Sequence, residues 1–90
     1  MLDRTVTVIN PLGLHARAAA QLVRLASTFR CSIALKRDDT RVEADAKSIL
    51  NVLYIAASKG VELRIVTDGE DEQEAMTAIE ELFGSGFGET

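Results

Sequence analysis

The sequence predicts an α+β open-faced sandwich, with elements in the order βαββαβα: a four-stranded, mostly antiparallel sheet covered on one side by three helices. Three observations lead there. Apolar residues alternate with polar ones at period two in four segments and recur at helical spacing in three others. Each segment offers only one apolar face or stripe, so strands and helices must bury against each other. The connections are short, and no repeat, linker or low-complexity tract interrupts the 90 residues, which fit one domain spanning 1–90.

Arg4 to Ile9 reads as the first strand, with Val6 and Val8 alternating against Thr5 and Thr7. Asn10-Pro11-Leu12-Gly13 breaks it, since proline removes a donor and glycine admits unusual dihedrals. Ala19, Leu22, Val23 and Ala26 then share one helical face, which predicts a helix from His15 or Ala16 to near Thr28. Cys31, Ile33 and Leu35 mark a second strand. A polar turn, Arg37-Asp38-Asp39-Thr40, leads to a short third strand through Val42 and Ala44, so a hairpin is expected. Ser48 stands where an N-cap would, ahead of the apolar stretch Ile49 to Ala57, and Lys59-Gly60 closes that helix on a left-handed glycine. Val61, Leu63 and Ile65 form the fourth strand. Acidic residues from Asp68 to Glu72 load the start of the last helix, where the dipole favours them. Its buried stripe is Ala75, Met76, Ile79, Leu82 and Phe83, and Gly84, Gly86 and Gly88 dissolve the pattern.

A net charge of −4 argues against a nucleic-acid partner, which wants a basic face. Three Phe, one Tyr and no Trp give little material for stacking bases. No apolar run reaches the roughly 18–20 residues that span a bilayer, so membrane insertion is not expected. The N-terminal residues lack a signal-peptide pattern, and a lone Cys31 excludes an internal disulfide; both suit the cytoplasm.

The informative stretch is Gly13-Leu14-His15-Ala16-Arg17, which holds the only histidine. A helix N-terminus offers unpaired N–H groups and partial positive charge, and Arg17 adds a guanidinium that can fork onto phosphate oxygens. Imidazole is nucleophilic and substantially neutral near pH 7. A hydrolase would need a further base, and a metal site three or four ligands, so His15 suits holding a group better than turning one over. The blander alternative, a capping or exposed histidine beside a solvated Arg17, stays open on spacing alone.

The same segment, followed by an alanine-rich helix, resembles the active-site signature of HPr, the histidine-containing phosphocarrier family of the phosphoenolpyruvate-dependent phosphotransferase system. Lys47-Ser48-Ile49-Leu50-Asn51-Val52-Leu53, with Lys59-Gly60 following, resembles the family's second signature around its regulatory serine. The ending Gly84-Ser85-Gly86-Phe87-Gly88-Glu89 is similar to the tail of many members, and element order matches throughout. The resemblance implies a carrier rather than an enzyme, with no cofactor and no metal. His15 would take a phosphoryl group on Nδ1 from phosphorylated enzyme I and donate it to a histidine of IIA-type domains, in sugar uptake or in regulation. Arg17, with the backbone N–H groups of Ala16 and Arg17, would steady the phosphate. Ser48 would be the target of an HPr kinase/phosphorylase where one exists.

The sequence departs from the family in places. Ala18 stands where proline is frequent, as in relatives of the nitrogen-related branch, which adds weight to a regulatory role. Asn51 replaces a frequent glycine and Tyr54 a smaller residue, both near the implied docking helix. That helix is more apolar than one buried face requires, so Ile49, Leu50 and Leu53, with Ala20 and Arg24 of the first helix, are the expected partner surface. Cys31 is expected as a small buried hydrophobe, and the carboxylates from Glu70 to Glu74 as a solvated first turn. Two other functions remain: an acylphosphatase-like enzyme, which would release free phosphate, and an interaction module that works without His15.

Overall fold

The computed structural model describes residues 1–89. Its elements are β1 (Leu2–Thr7), α1 (Ala16–Ala26), β2 (Ser32–Arg37), β3 (Val42–Asp45), α2 (Ile49–Tyr54), β4 (Glu62–Asp68), α3 (Glu72–Gly84) and a 3-10 turn, Gly86–Gly88. The strands form one sheet in the order β1-β4-β2-β3, and every pairing is antiparallel. The expected sandwich is the observed one.

Alternation decides which face is covered. Ile33 and Leu35 of β2, Ala44 of β3, and Leu63, Ile65 and Thr67 of β4 are buried beneath the helices. Their neighbours Ala34, Lys36, Arg64 and Val66 stay partly exposed on the open face. There Arg64 holds Asp3 on β1 at 2.6 Å and Asp38 of the hairpin turn at 2.8 Å. Helices α1 and α3 bring Leu22, Met76, Ile79 and Phe83 into the core, each worth roughly 1.5–3 kcal/mol of burial. Val23 and Leu82, expected in those stripes, are only half-buried at the edge, while Ala18 is fully covered.

β1 lies two residues nearer the N-terminus than the valine alternation suggests. The register with β4, from Leu2 opposite Thr67 to Thr7 opposite Glu62, draws Leu2 and Asp3 into the ladder. Val8 lies past the strand, where its N–H donates to the Val61 carbonyl and its own carbonyl accepts from Gly60 N–H. Arg37 belongs to β2, and its Nη1 donates to the carbonyls of Ile55 and Ala56 at 3.2 and 3.0 Å.

That contact bears on the first correction. Helix α2 does not run through Ala57 to a glycine stop; it ends at Tyr54, and the left-handed residue is Ala56, with φ +53. Such a conformation costs an L-residue about 1–2 kcal/mol. The strain is held by Arg37 on the last carbonyls and by Leu14 N–H, which donates to the Ala57 carbonyl at 2.8 Å. Gly60, with φ +92, turns the chain into β4 instead.

Two further corrections concern polar residues. Ser48 occupies the N-cap position of α2 but its side chain makes no capping hydrogen bond. Asp45 fixes the start of the helix: its Oδ1 accepts Lys47 N–H at 2.9 Å and its carbonyl accepts Ser48 N–H at 3.0 Å. Asp71, expected as a solvated residue, accepts the N–H groups of Arg30 and Cys31 at 2.8 and 2.9 Å, tying α3 to the start of β2. The Arg30 bond is the chief reason its carboxyl sits below the usual carboxylate range. Cys31 is buried, and burial pushes its thiol up to about 11.

The tail does not dissolve at Gly84. Gly88 N–H reaches the Ser85 carbonyl, and Glu89 N–H the Gly86 carbonyl. Phe87, only 3% exposed, packs edge-on to Phe83 with ring centroids 5.0 Å apart.

Candidate functional site

The turn before α1 sets the site. Asn10 C=O accepts Gly13 N–H at 3.1 Å, and Gly13 takes φ +64. Space as well as conformation demands glycine there, because a Cβ would lie 2.5 Å from the Ala57 carbonyl oxygen and 2.8 Å from Ser58 Cα. The chain after α2 is thus the seat on which the loop before α1 rests, and buried Leu14 pins it down.

His15 leaves that loop with extended backbone (φ −73, ψ 178) as the N-cap of α1, its carbonyl accepting Ala19 N–H at 2.8 Å. The imidazole does not cap the helix. Its Nε2 lies 2.6 Å from Glu89 Oε2, while Nδ1 has no hydrogen-bond partner among the described residues. Glu89 Oε2 also accepts from Asn10 Nδ2 at 3.0 Å, and Oε1 accepts from Leu12 N–H at 3.2 Å. Asn10, 1% exposed, donates its Nδ2 to the Gly13 carbonyl as well, at 2.7 Å. Both neighbours of that nitrogen are acceptors, which fixes the orientation of the amide. The ring of His15 is 26% exposed and the Glu89 side chain 7%. Burial pushes the Glu89 carboxyl up, but hydrogen bonds from His15, Asn10 and Leu12 outweigh it and hold the group below its ordinary value.

The remaining candidates lie on α1 and α2. Arg17 is exposed in the first turn of α1 and forms no ion pair among the described residues. The N–H groups of Ala16 and Arg17 belong to the first turn, where no intrahelical acceptor exists. Ala20 is half-buried and Arg24 exposed farther along the helix. On α2, Val52 and Ile55 at its end point inward, whereas Ile49, Leu50 and Leu53 are 38%, 75% and 36% exposed. Tyr54 and Leu12 add exposed apolar surface. Among the described residues no cluster of His, Cys, Asp or Glu could hold a metal. No helix there is long and apolar enough to cross a membrane.

The family described as "PTS HPr component phosphorylation site" matches residues 2–85. The chain belongs to the HPr family. Curated relatives named "Phosphocarrier protein HPr" include that of Cupriavidus necator, 48% identical over 99% of this chain and 98% of the relative. That of Treponema pallidum is also 48% identical, over 99% of both chains. Among solved structures, HPr-C-His from Thermoanaerobacter tengcongensis superposes with a TM-score of 0.94 at 37% identity, covering 100% of this chain and 99% of that one. The resemblance carried by the two signatures therefore holds, and these family members are named as carriers, not as enzymes.

Two residues at the HPr-like site escape a reading of the signatures, Asn10 and Glu89. Asn10 looks like an ordinary turn residue before proline. Glu89 follows three glycines within five residues; the one signal was Phe87, an aromatic with no place in a solvated tail.

Proposed function

We propose that this chain accepts a phosphoryl group on His15 from phosphorylated enzyme I and passes it to a histidine of IIA-type acceptor domains, serving sugar uptake or regulation from the cytoplasm. The observation that carries the proposal is the state of the only histidine: it stands at a helix N-terminus with one ring nitrogen tied and the other open. Phosphoryl transfer goes through a loose transition state, so positioning and charge stabilisation do most of the work. Arg17 and the N–H groups of Ala16 and Arg17 supply that stabilisation, since they are donors in the first turn after His15 with no hydrogen-bond partner among the described residues. A donor or acceptor protein docks on Ile49, Leu50 and Leu53, with Ala20 and Arg24 alongside, where α2 and its exposed apolar side chains lie against the helix that His15 opens. Ser48, half-buried at the start of α2, is the site at which an HPr kinase would add charge beside that surface.

The decisive experiment is incubation with enzyme I, magnesium and labelled phosphoenolpyruvate, comparing the native protein with His15→Ala. Acid-labile, base-stable label on the native protein and none on the variant is expected. No label on the native protein, with another HPr labelled in parallel, would leave a binding module as the better account.

A further inference from the structure

Glu89 lies beyond the residues that the family match covers, which stop at residue 85, yet its carboxylate is the only protein group bonded to the His15 ring among the described residues. We infer that Glu89 is a positioning residue for phosphoryl transfer: its carboxylate keeps the His15 proton on Nε2 and so leaves the Nδ1 lone pair as the nucleophile. The inference rests on the proposal that His15 is the carrier.

A neutral imidazole has one donor and one acceptor nitrogen, and the partner of one decides the role of the other. An ionised carboxylate only accepts, so the ring nitrogen 2.6 Å from Glu89 Oε2 must hold the proton. The surroundings keep the carboxylate ionised. Asn10 Nδ2 and Leu12 N–H both donate to it, which favours the charged form, and imidazole is a stronger base than a carboxylate, so the shared proton rests on Nε2. The backbone beneath is fixed too, because Phe87 is buried against Phe83 and the 3-10 turn closes over Ser85 and Gly86.

The step balances without another reactant. The Nδ1 lone pair forms the new N–P bond while the bond from phosphorus to the donor breaks, and that electron pair stays with the donor. Nε2 keeps its proton, so the phosphorylated ring bears a positive charge facing Glu89 at hydrogen-bond distance. Onward transfer reverses this and returns the ring to its neutral form. A counter-charge on the side away from the phosphate stabilises the loaded ring without caging the group that must leave.

The experiment compares the native protein with Glu89→Gln and Glu89→Ala. Glutamine has one accepting and one donating end where the site presents three donors, and alanine has neither. ¹⁵N NMR of the His15 ring, at a pH where it is neutral, reads which nitrogen holds the proton. Initial rates of label transfer from phosphorylated enzyme I, over a range of carrier concentrations, separate kcat from KM. The native ring is expected to carry its proton on Nε2, and both variants to shift population toward Nδ1. Their kcat should fall about tenfold or more, as when the group that holds a catalytic imidazole is lost. KM should change by less than about threefold, since Leu50 and Leu53 are untouched. An unchanged proton position, or an unchanged kcat, overturns the inference and leaves Glu89 as a tether for the tail. Failure of the native protein to take label sinks the carrier proposal instead, and the NMR arm alone then decides whether Glu89 governs the ring.

Discussion

Helices α1 and α2 both begin on a residue proposed to take phosphate, and neither residue caps its helix through its side chain. There the likeness ends. His15 is held from two sides: Gly13 and Leu14 sit against the chain at Ala57 and Ser58, and Glu89 grips the ring. Ser48 itself bonds only within the Asp45 turn and α2, while its neighbours Ala46 and Lys47 reach the carbonyls of Ile33 and Phe29, ahead of a helix of six residues against eleven for α1. At the first start the functional side chain itself is gripped by a residue 74 positions away; at the second the distant bonds belong to the residues before Ser48 and leave its hydroxyl alone. On the proposed function, a group that must meet phosphorus in one geometry needs the first kind of support, and a helix that offers apolar side chains to several partners does not.

The contrast can be broken most severely at Gly13. Gly13→Ala adds a left-handed penalty of about 1–2 kcal/mol to an overpacking cost of about 1–3, so a loss of roughly 2–5 kcal/mol is expected in urea unfolding. A change under about 0.5 kcal/mol, the range of an ordinary surface site, would show that the two loops are not locked together. Next in size is Leu50→Asp, at a residue 75% exposed. Stability should stay within about 0.5 kcal/mol while the affinity for enzyme I, by titration calorimetry, falls about tenfold or more. Equal affinity would remove α2 from the docking surface. The smallest effect belongs to Ser48→Ala, which should lower stability by less than about 0.5 kcal/mol, against about 1 for a cap that bonds. A thermal melt showing the larger loss would mean that Ser48 caps its helix in solution.

The periodicities made the sheet and the three helices legible, because burial on one face leaves a regular trace. The ends of elements were less so. The end of α2 is set by Arg37 and by the loop under Gly13, contacts that cross the fold and leave no local pattern. At the site, His15 and Arg17 were readable from type and place. Glu89 was not, since nothing near it in the chain indicates what it meets 74 residues away. The glycines before it read only as the end of the helical pattern, although Gly86 and Gly88 adopt the positive φ that lets the tail curl back.

That long reach has a consequence for synthesis. Apart from the three bonds to Glu89, the hydrogen bonds of the loop before α1 join residues between 8 and 61, which are made well before the tail. The sheet can pair once β4 has emerged, but Glu89 arrives only after α3 and the turn beyond it. The core itself needs α3, which supplies Met76, Ile79 and Phe83, and Glu89 reaches the imidazole only after that helix. The ring is thus brought to a single form by a residue that follows the last helix of the core.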